Sequence, residues 1–361
     1  MNNCDVLIVG AGPAGAVAAH TLARTGRLTT VLADDATAPC QRIGESLPGV
    51  AIALLKQLDL LSCVAVEGRI ACVGNASSWG SDDVSYTDFI RDPNGHGWHL
   101  DRGRFDQDLR DAACAAGAVR RTGRVRRAWM DADGWQAEFD DGIVRARWLV
   151  DASGRAGAVA RWLNVPREQD EPMLALHAWG TDRSSDRRSL VEATPEGWWY
   201  TAGLPRGRRV AALHVKPAGA ARILRDGAWR RLLARTRHLS EVCHVDDSWT
   251  RPAGTDAGGA WMPIPCGPRW IAVGDAALAL DPLSSQGMFN SLYTGWRGAQ
   301  ALAAVAQGEG TEKLLDYARR LHEIRAVYRS NLHAYYGMER RWPDQPFWHD
   351  RQAGMLPEAS V

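Results

Sequence analysis

Three glycines, Gly10, Gly12 and Gly15, stand in the string Gly10-Ala11-Gly12-Pro13-Ala14-Gly15, directly after the apolar run Val6-Leu7-Ile8-Val9. This spacing suits phosphate binding. Gly10 permits a tight turn, Gly12 lets backbone approach a pyrophosphate, and Gly15 lets the following helix pack close to the strand. The helix that begins near Ala14 then offers unpaired N–H groups to negative charge. Asp34 and Asp35 lie about 20 residues beyond the glycines, where an acid can accept a hydrogen bond from a ribose 2′-OH. Strand, glycines, helix and acid together predict a dinucleotide site.

The elements that must hold these residues follow from periodicity. Apolar residues 6–9 and 28–32 read as buried parallel strands, and residues 14–25 as a helix rich in Ala. A turn-rich segment, Gly44-Glu45-Ser46-Leu47-Pro48, precedes an amphipathic helix over 50–61. Strand-like stretches at 71–79, 84–89 and 97–100 are expected to pair outside the nucleotide domain, and Arg102, ahead of a helix over 105–115, defaults to a solvated surface residue. Residues 124–130, 135–139 and 144–149, with turns at Asp133-Gly134 and Asp140-Asp141-Gly142, read as a β-meander. Its last strand runs into Asp151-Ala152-Ser153-Gly154-Arg155, another strand end at the crevice.

From 165 to 261 the pattern changes. Stretches 173–181, 189–194, 198–204 and 210–215, followed by an Arg-rich helical span over 218–237, predict a second, mostly antiparallel sheet. Laid over the crevice, it would wall a substrate pocket. Period-two alternation puts Trp198 and Tyr200 on one face and Trp199 on the other, although all three could equally be core. The chain then returns to the first domain with a strand at 270–273, the turn Gly274-Asp275 and the loop Asp281-Pro282-Leu283-Ser284-Ser285-Gln286-Gly287-Met288, which opens a helix over 289–306. That helix N-terminus would aim N–H groups at an electron-rich group such as the pyrimidine end of a reduced flavin. The expected organisation is a discontinuous nucleotide domain (1–75, 98–164, 262–310), a substrate domain (76–97, 165–261) and a C-terminal helical region (311–361).

Composition narrows the class. A chain of 361 residues with formal net charge +1 gives no support for nucleic acid or a membrane surface as partner. Its seven cysteines, Cys4, Cys40, Cys63, Cys72, Cys114, Cys243 and Cys266, form no C-x-x-C pair, which argues against a disulfide framework and a zinc site, so no metal is expected. With no signal-like leader and no apolar run of membrane-spanning length, the expectation is a cytoplasmic protein. Sixteen tryptophans could line a pocket or fill core.

Four stretches in order, 10–15, 44–48, 149–155 and 274–287, resemble the FAD-dependent monooxygenases and halogenases of the glutathione-reductase-like superfamily. The fold class implied is α/β, a Rossmann-type FAD domain with a second, mostly antiparallel sheet. Within it, 281–287, Ser291-Leu292-Tyr293-Thr294-Gly295, and the tail Glu339-Arg340-Arg341-Trp342-Pro343-Asp344 with Phe347-Trp348 resemble the branch of LodB-type and GoxB-type maturases. Those act on a tryptophan of a precursor protein that becomes a tryptophylquinone cofactor.

The resemblance implies that Gly10, Gly12, Ala14 and Gly15 hold the FAD pyrophosphate and Asp34 the adenosine ribose. It places Arg42 and Glu45 near the flavin, Arg102 near the cofactor's linker, Asp275 near the ribityl chain, and Gly287 and Met288 at the isoalloxazine. One departure stands out: halogenases of this kind carry an essential lysine after the Gly-Glu-Ser segment, and this chain has none between Lys56 and Lys216. Neither does a Trp-x-Trp-x-Ile-Pro string occur.

The implied activity is therefore hydroxylation of an electron-rich aromatic ring by flavin-activated O₂, in a pocket kept dry. The partner would be a tryptophan-containing precursor protein or, as the alternative, a small aromatic or indole substrate. A flavin-binding assembly factor without catalysis is the reading from a different class. No second dinucleotide fingerprint follows a strand, so the reductant would be visiting NAD(P)H or reduced flavin from a separate flavin reductase. A base that raises the electron density of the ring would help; His177 and His214 are the candidates, with Tyr200 third.

Overall fold

The computed structural model describes residues 3–35, 42–64 and 69–353. Cys40, and residues 354–361 of the C-terminal region, lie outside them. A parallel run of five strands forms the spine, in the spatial order Trp270–Ala272, Gly142–Asp151, Asn3–Val9, Thr30–Asp34 and Val119–Thr122. The β-meander strands Trp135–Phe139 and Arg127–Met130 join its Gly142–Asp151 strand antiparallel. Val6, Leu7 and Ile8 are fully buried, as a strand covered on both faces requires.

The second sheet has seven strands, in the order Ala253–Asp256, Leu174–Thr181, Arg208–Val215, Gly197–Leu204, Ser189–Thr194, Gly74–Ser78 and Ser85–Asp88. All its pairings are antiparallel except that of Ser189–Thr194 with Gly74–Ser78. Trp198 and Tyr200 face the main core, whereas Trp199 packs on the opposite side against Trp229, ring centroids 5.2 Å apart. Of the described helices, none is long and apolar enough to cross a membrane.

Several expectations need correction. The expected strand over 71–79 divides: Ile70–Cys72 joins Gly97–His99 and Ser46–Leu47 in a small three-stranded sheet, and only Gly74–Ser78 enters the large one. The helix expected over 50–61 stops at Gln57, because Asp59 turns to φ +57° and pairs with Arg24. The Arg-rich span is two helices, Pro217–Arg225 and Trp229–Ala234, interrupted at Asp226-Gly227. Arg102 does not precede its helix as a solvated residue. It is the first residue of Arg102–Ala115, with Asp101 as N-cap accepting from Arg104 N, and its side chain is buried against Asp106. A guanidinium removed from water needs such a carboxylate, and period alone gave no sign of it.

Candidate functional site

The crevice is built where the Asn3–Val9 strand ends. Gly10 takes φ +109°, and a Cβ there would lie 2.4 Å from Ala152 O, so the turn crosses the end of the neighbouring strand at Ala152. At Gly15 a Cβ would fall 1.9 Å from Gly10 O, which is the close helix–strand contact the spacing predicts. Gly12 differs, since the nearest atom to its Cβ position is Arg42 Nη1 at 4.0 Å. It caps the Pro13–Ala23 helix with no side-chain hydrogen bond, and no acidic residue occupies the first turn. An open glycine at an uncapped helix N-terminus is a cradle for a phosphate.

A second helix start faces the same problem. Gly287–Ala306 has Gln286 at its N-cap without a side-chain bond, and nothing lies within 4 Å of a Cβ built on Gly287. Met288 follows, buried in the cluster of Val17, Leu47 and Phe105. Gly295 of this helix sits against Ala14, where a Cβ would approach Ala14 O to 2.4 Å, so the two helices are locked side by side. Their free N–H groups fit a ligand with phosphate at one end and an electron-rich ring at the other.

Asp34 ends its strand as expected, and its carboxylate accepts from Arg120 Nε at 2.8 Å with Arg110 Nε 3.9 Å away. Arg110 also donates to Ala11 O in the glycine turn, 3.2 Å. Glu45 is buried; its Oε2 accepts from Gly44 N at 2.9 Å while Oε1 has no partner. Burial pushes its carboxyl up to about 7, against backbone hydrogen bonds and the Arg102 guanidinium. Arg102 holds that segment by donating to Ile43 O and Gly44 O, 3.0 and 3.1 Å. Asp275 follows the Gly274 turn, with Arg155 Nε 3.5 Å from its carboxylate; burial raises its pKa, opposed by Arg155, Arg102 and Arg167.

On the substrate side, the pairing register places Tyr200, Ala212 and His177 in one row and Trp198, His214 and Ala175 in the next. Alternation puts all six on one sheet face, so the three proton-handling candidates are brought together. Tyr200 Oη lies 2.8 Å from Ser46 Oγ, and burial raises its pKa. His177 Nδ1 lies 3.3 Å from Ala175 O, and burial lowers its pKa. His214 is stacked on Trp198 at 3.6 Å and 10°, and burial pushes it down to about 3. Both imidazoles are thus neutral at pH 7.

A narrow cleft of about 30 Å³, lined by Arg42, Glu45, Arg102, Trp179, Leu204 and Arg208, joins the flavin-side segment to this sheet. The larger recess, about 310 Å³, lies between the two longest helices beside Arg297, Lys313 and Arg320, and holds none of the predicted site residues.

The residues from 3 to 257 match the family model described as FAD binding domain. The chain belongs to the FAD binding domain family. It is a flavin-dependent oxidoreductase, with the α/β architecture expected. The FAD-dependent oxidoreductase LodB of Marinomonas mediterranea is 27% identical over 98% of both chains. Two solved structures share the fold: the myxobacterial chondrochloren halogenase CndH, with TM-score 0.86, 22% identity, and 98% and 86% of the two chains covered; and the peptidyl tryptophan dihydroxylase QhpG, essential for tryptophylquinone cofactor biogenesis, with TM-score 0.77, 24% identity, and 99% and 80% covered. Halogenases and a tryptophan dihydroxylase share this fold, so the chemistry must be argued from the site.

Three groups escaped the sequence reading. Arg167 donates to Arg155 O and Asp275 O, bracing the strand end against the Gly274 turn. Arg110 carried no signal beyond its helix. Asp281, known only as a loop residue, is buried, accepting from Tyr336 Oη and Arg351 Nη1, both at 3.0 Å, and from Leu283 N at 2.9 Å. The Asp-Pro step ahead of a predicted helix was its one available sign.

Proposed function

We propose that this flavoprotein hydroxylates an electron-rich aromatic ring, namely a tryptophan side chain in a precursor protein destined to carry a quinone cofactor. The observation that carries the reading is the sheet face of Tyr200, His177 and His214, beside Trp179 and the buried Glu45. The LodB match over nearly the whole of both chains supports it. The lysines support the non-halogenating branch: Lys216 pairs with Asp350, and Lys56 and Lys313 are exposed on helices outside the cleft.

Bound FAD would supply the reducing equivalents and the O₂ activation. Gly12 and the Pro13–Ala23 N-terminus would receive the pyrophosphate, with Asp34 at the ribose and Arg42 alongside. Asp275 would meet the ribityl chain, and Gly287 and Met288 would present backbone N–H groups to the ring. Glu45, whose carboxyl titrates near neutrality, would hold or release a proton beside the cleft. His177 and His214 would act as neutral acceptors toward an indole N–H, and the packed sheet behind them excludes water. Reductant would come from NAD(P)H or a flavin reductase.

Co-expression with a tryptophan-containing precursor, with and without this protein, tests the reading by peptide mass spectrometry. One or two oxygen atoms added to one tryptophan, only when both are present, is the expected result. An unmodified precursor, with oxygen consumption stimulated instead by a small indole, would move the substrate to the small-molecule class.

A further inference from the structure

The sheet face that carries His177 and Tyr200 runs on past them to the cleft. Pairing continues from their row through Trp179, Val210 and Ala202 to Thr181, Arg208 and Leu204, so alternation sets Arg208 on the same face as His177, Trp179 and Tyr200. Trp179, Leu204 and Arg208 line the narrow cleft. Arg208 Cζ lies 5.9 Å from the Trp179 ring centroid, and His177 meets that ring edge-on at 4.9 Å. A basic group, an indole wall and an imidazole therefore follow one another along the face.

Charge pairing separates Arg208 from the arginines around it. Arg209, the next residue, is buried on the opposite face with Asp182 2.9 Å away. Arg102 is held by Asp106, and Arg206 lies 3.8 Å from Asp101. Half-buried Arg208 pairs with no carboxylate among the described residues, and its contact with the Trp179 ring leaves its N–H donors open. The two carboxylates that line the cleft are engaged elsewhere: Asp101 caps a helix by accepting from Arg104 N, and Glu45 Oε2 accepts from Gly44 N. A planar guanidinium with unused donors, partly desolvated against a ring, suits bidentate contact with a carboxylate.

We propose that Arg208 binds a carboxylate of the substrate, so that the preferred substrate is a peptide segment with Asp or Glu close to the target tryptophan. This rests on the reading that the tryptophan is presented to His177 and Tyr200. Their row, at Ala212, lies four residues from Arg208 along the strand, or about 14 Å at about 3.4 Å per residue. An extended segment crosses that gap with about four residues. The carboxylate of a small indole acid lies too near its own ring to reach both ends. A peptide meets both conditions at once.

Fluorescein-labelled, end-blocked peptides carrying Trp-Ala-Ala-Asp, or Asn in place of the Asp, test the contact by anisotropy on the FAD-loaded protein, a readout that needs no turnover. At low salt the Asp peptide should bind at least about tenfold more tightly. Arg208→Gln should remove that preference in a protein of unaltered melting temperature, Arg208→Lys should keep part of it, and Arg208→Glu should favour a peptide with Lys in place of the Asp. Equal binding of the Asp and Asn peptides to wild type, or a preference that survives in Arg208→Gln, overturns the proposal. A fall in FAD affinity with Arg208→Gln also overturns it, since the guanidinium would then serve the cofactor. Indole-3-propionate binding through Arg208 as tightly as the Asp peptide would overturn the peptide as the source of the carboxylate. Failure of the hydroxylase reading is seen separately: the Asp peptide would bind with its Arg208-dependent preference and gain no oxygen when reduced FAD and O₂ are supplied.

Discussion

Ser46 Oγ and Tyr200 Oη lie 2.8 Å apart, joining the segment beside the glycine turn to the middle of the seven-stranded sheet. This bond ties the segment that carries the cleft residue Glu45 to the strand that carries the cleft residue Leu204. Tyr200→Phe should cost about 1 kcal/mol of stability and increase hydrogen peroxide release per turnover, because the cleft closes less well. Thermal melts and a peroxide assay check both. Complete loss of product in a protein that still binds FAD would mean that the hydroxyl handles a proton rather than holding the cleft.

Glu45 gives the fold a pH signature. Its carboxyl is raised from 4.5 to about 7 by burial, so between these values the folded protein holds a proton that the unfolded chain releases. Its contribution to stability is complete below pH 4.5 and is lost as pH rises to about 7. Glu45→Gln, neutral throughout, should flatten that fall in melting temperature.

His214 works in the opposite sense. Burial lowers it from 6.5 to about 3, so the unfolded chain takes up a proton first and stability is lost as pH falls below 6.5. His214→Phe keeps a ring against Trp198 and should resist acid unfolding better than wild type. Urea midpoints measured at neutral and acid pH would show the difference.

Gly12→Ala should separate folding from cofactor binding. The added methyl meets nothing closer than Arg42 Nη1 at 4.0 Å, so the melting temperature of the apoprotein should hold. It would occupy the approach to the pyrophosphate, and FAD affinity should fall at least about tenfold, or 1.4 kcal/mol, by fluorescence titration. Gly15→Ala, with its Cβ 1.9 Å from Gly10 O, should instead lower apoprotein stability.

Asp281→Asn removes a charge whose partner stays behind. Arg351 Nη1 lies 3.0 Å from that carboxylate with both side chains buried. Breaking such a pair from one side costs about 3–5 kcal/mol, whereas Asp281→Asn combined with Arg351→Met should recover much of the loss. Chemical denaturation of the three variants measures this coupling.

The amino-acid sequence determined the parts whose signal is local. Glycine spacing after an apolar run set the turn at Gly10, and alternation set the four strands between 174 and 215, because each depends on backbone geometry over a few residues. Tertiary structure decided what depends on burial and on partners far along the chain. Arg102 became the anchor of Ile43 and Gly44, Glu45 moved toward neutrality, and His214, stacked on Trp198, lost its charge by burial. Asp281 acquired Arg351 from 70 residues away, and Arg167 reached across 108 residues to Asp275 O. Desolvation and charge pairing are properties of the packed whole, and no pattern of neighbouring residues encodes them by itself.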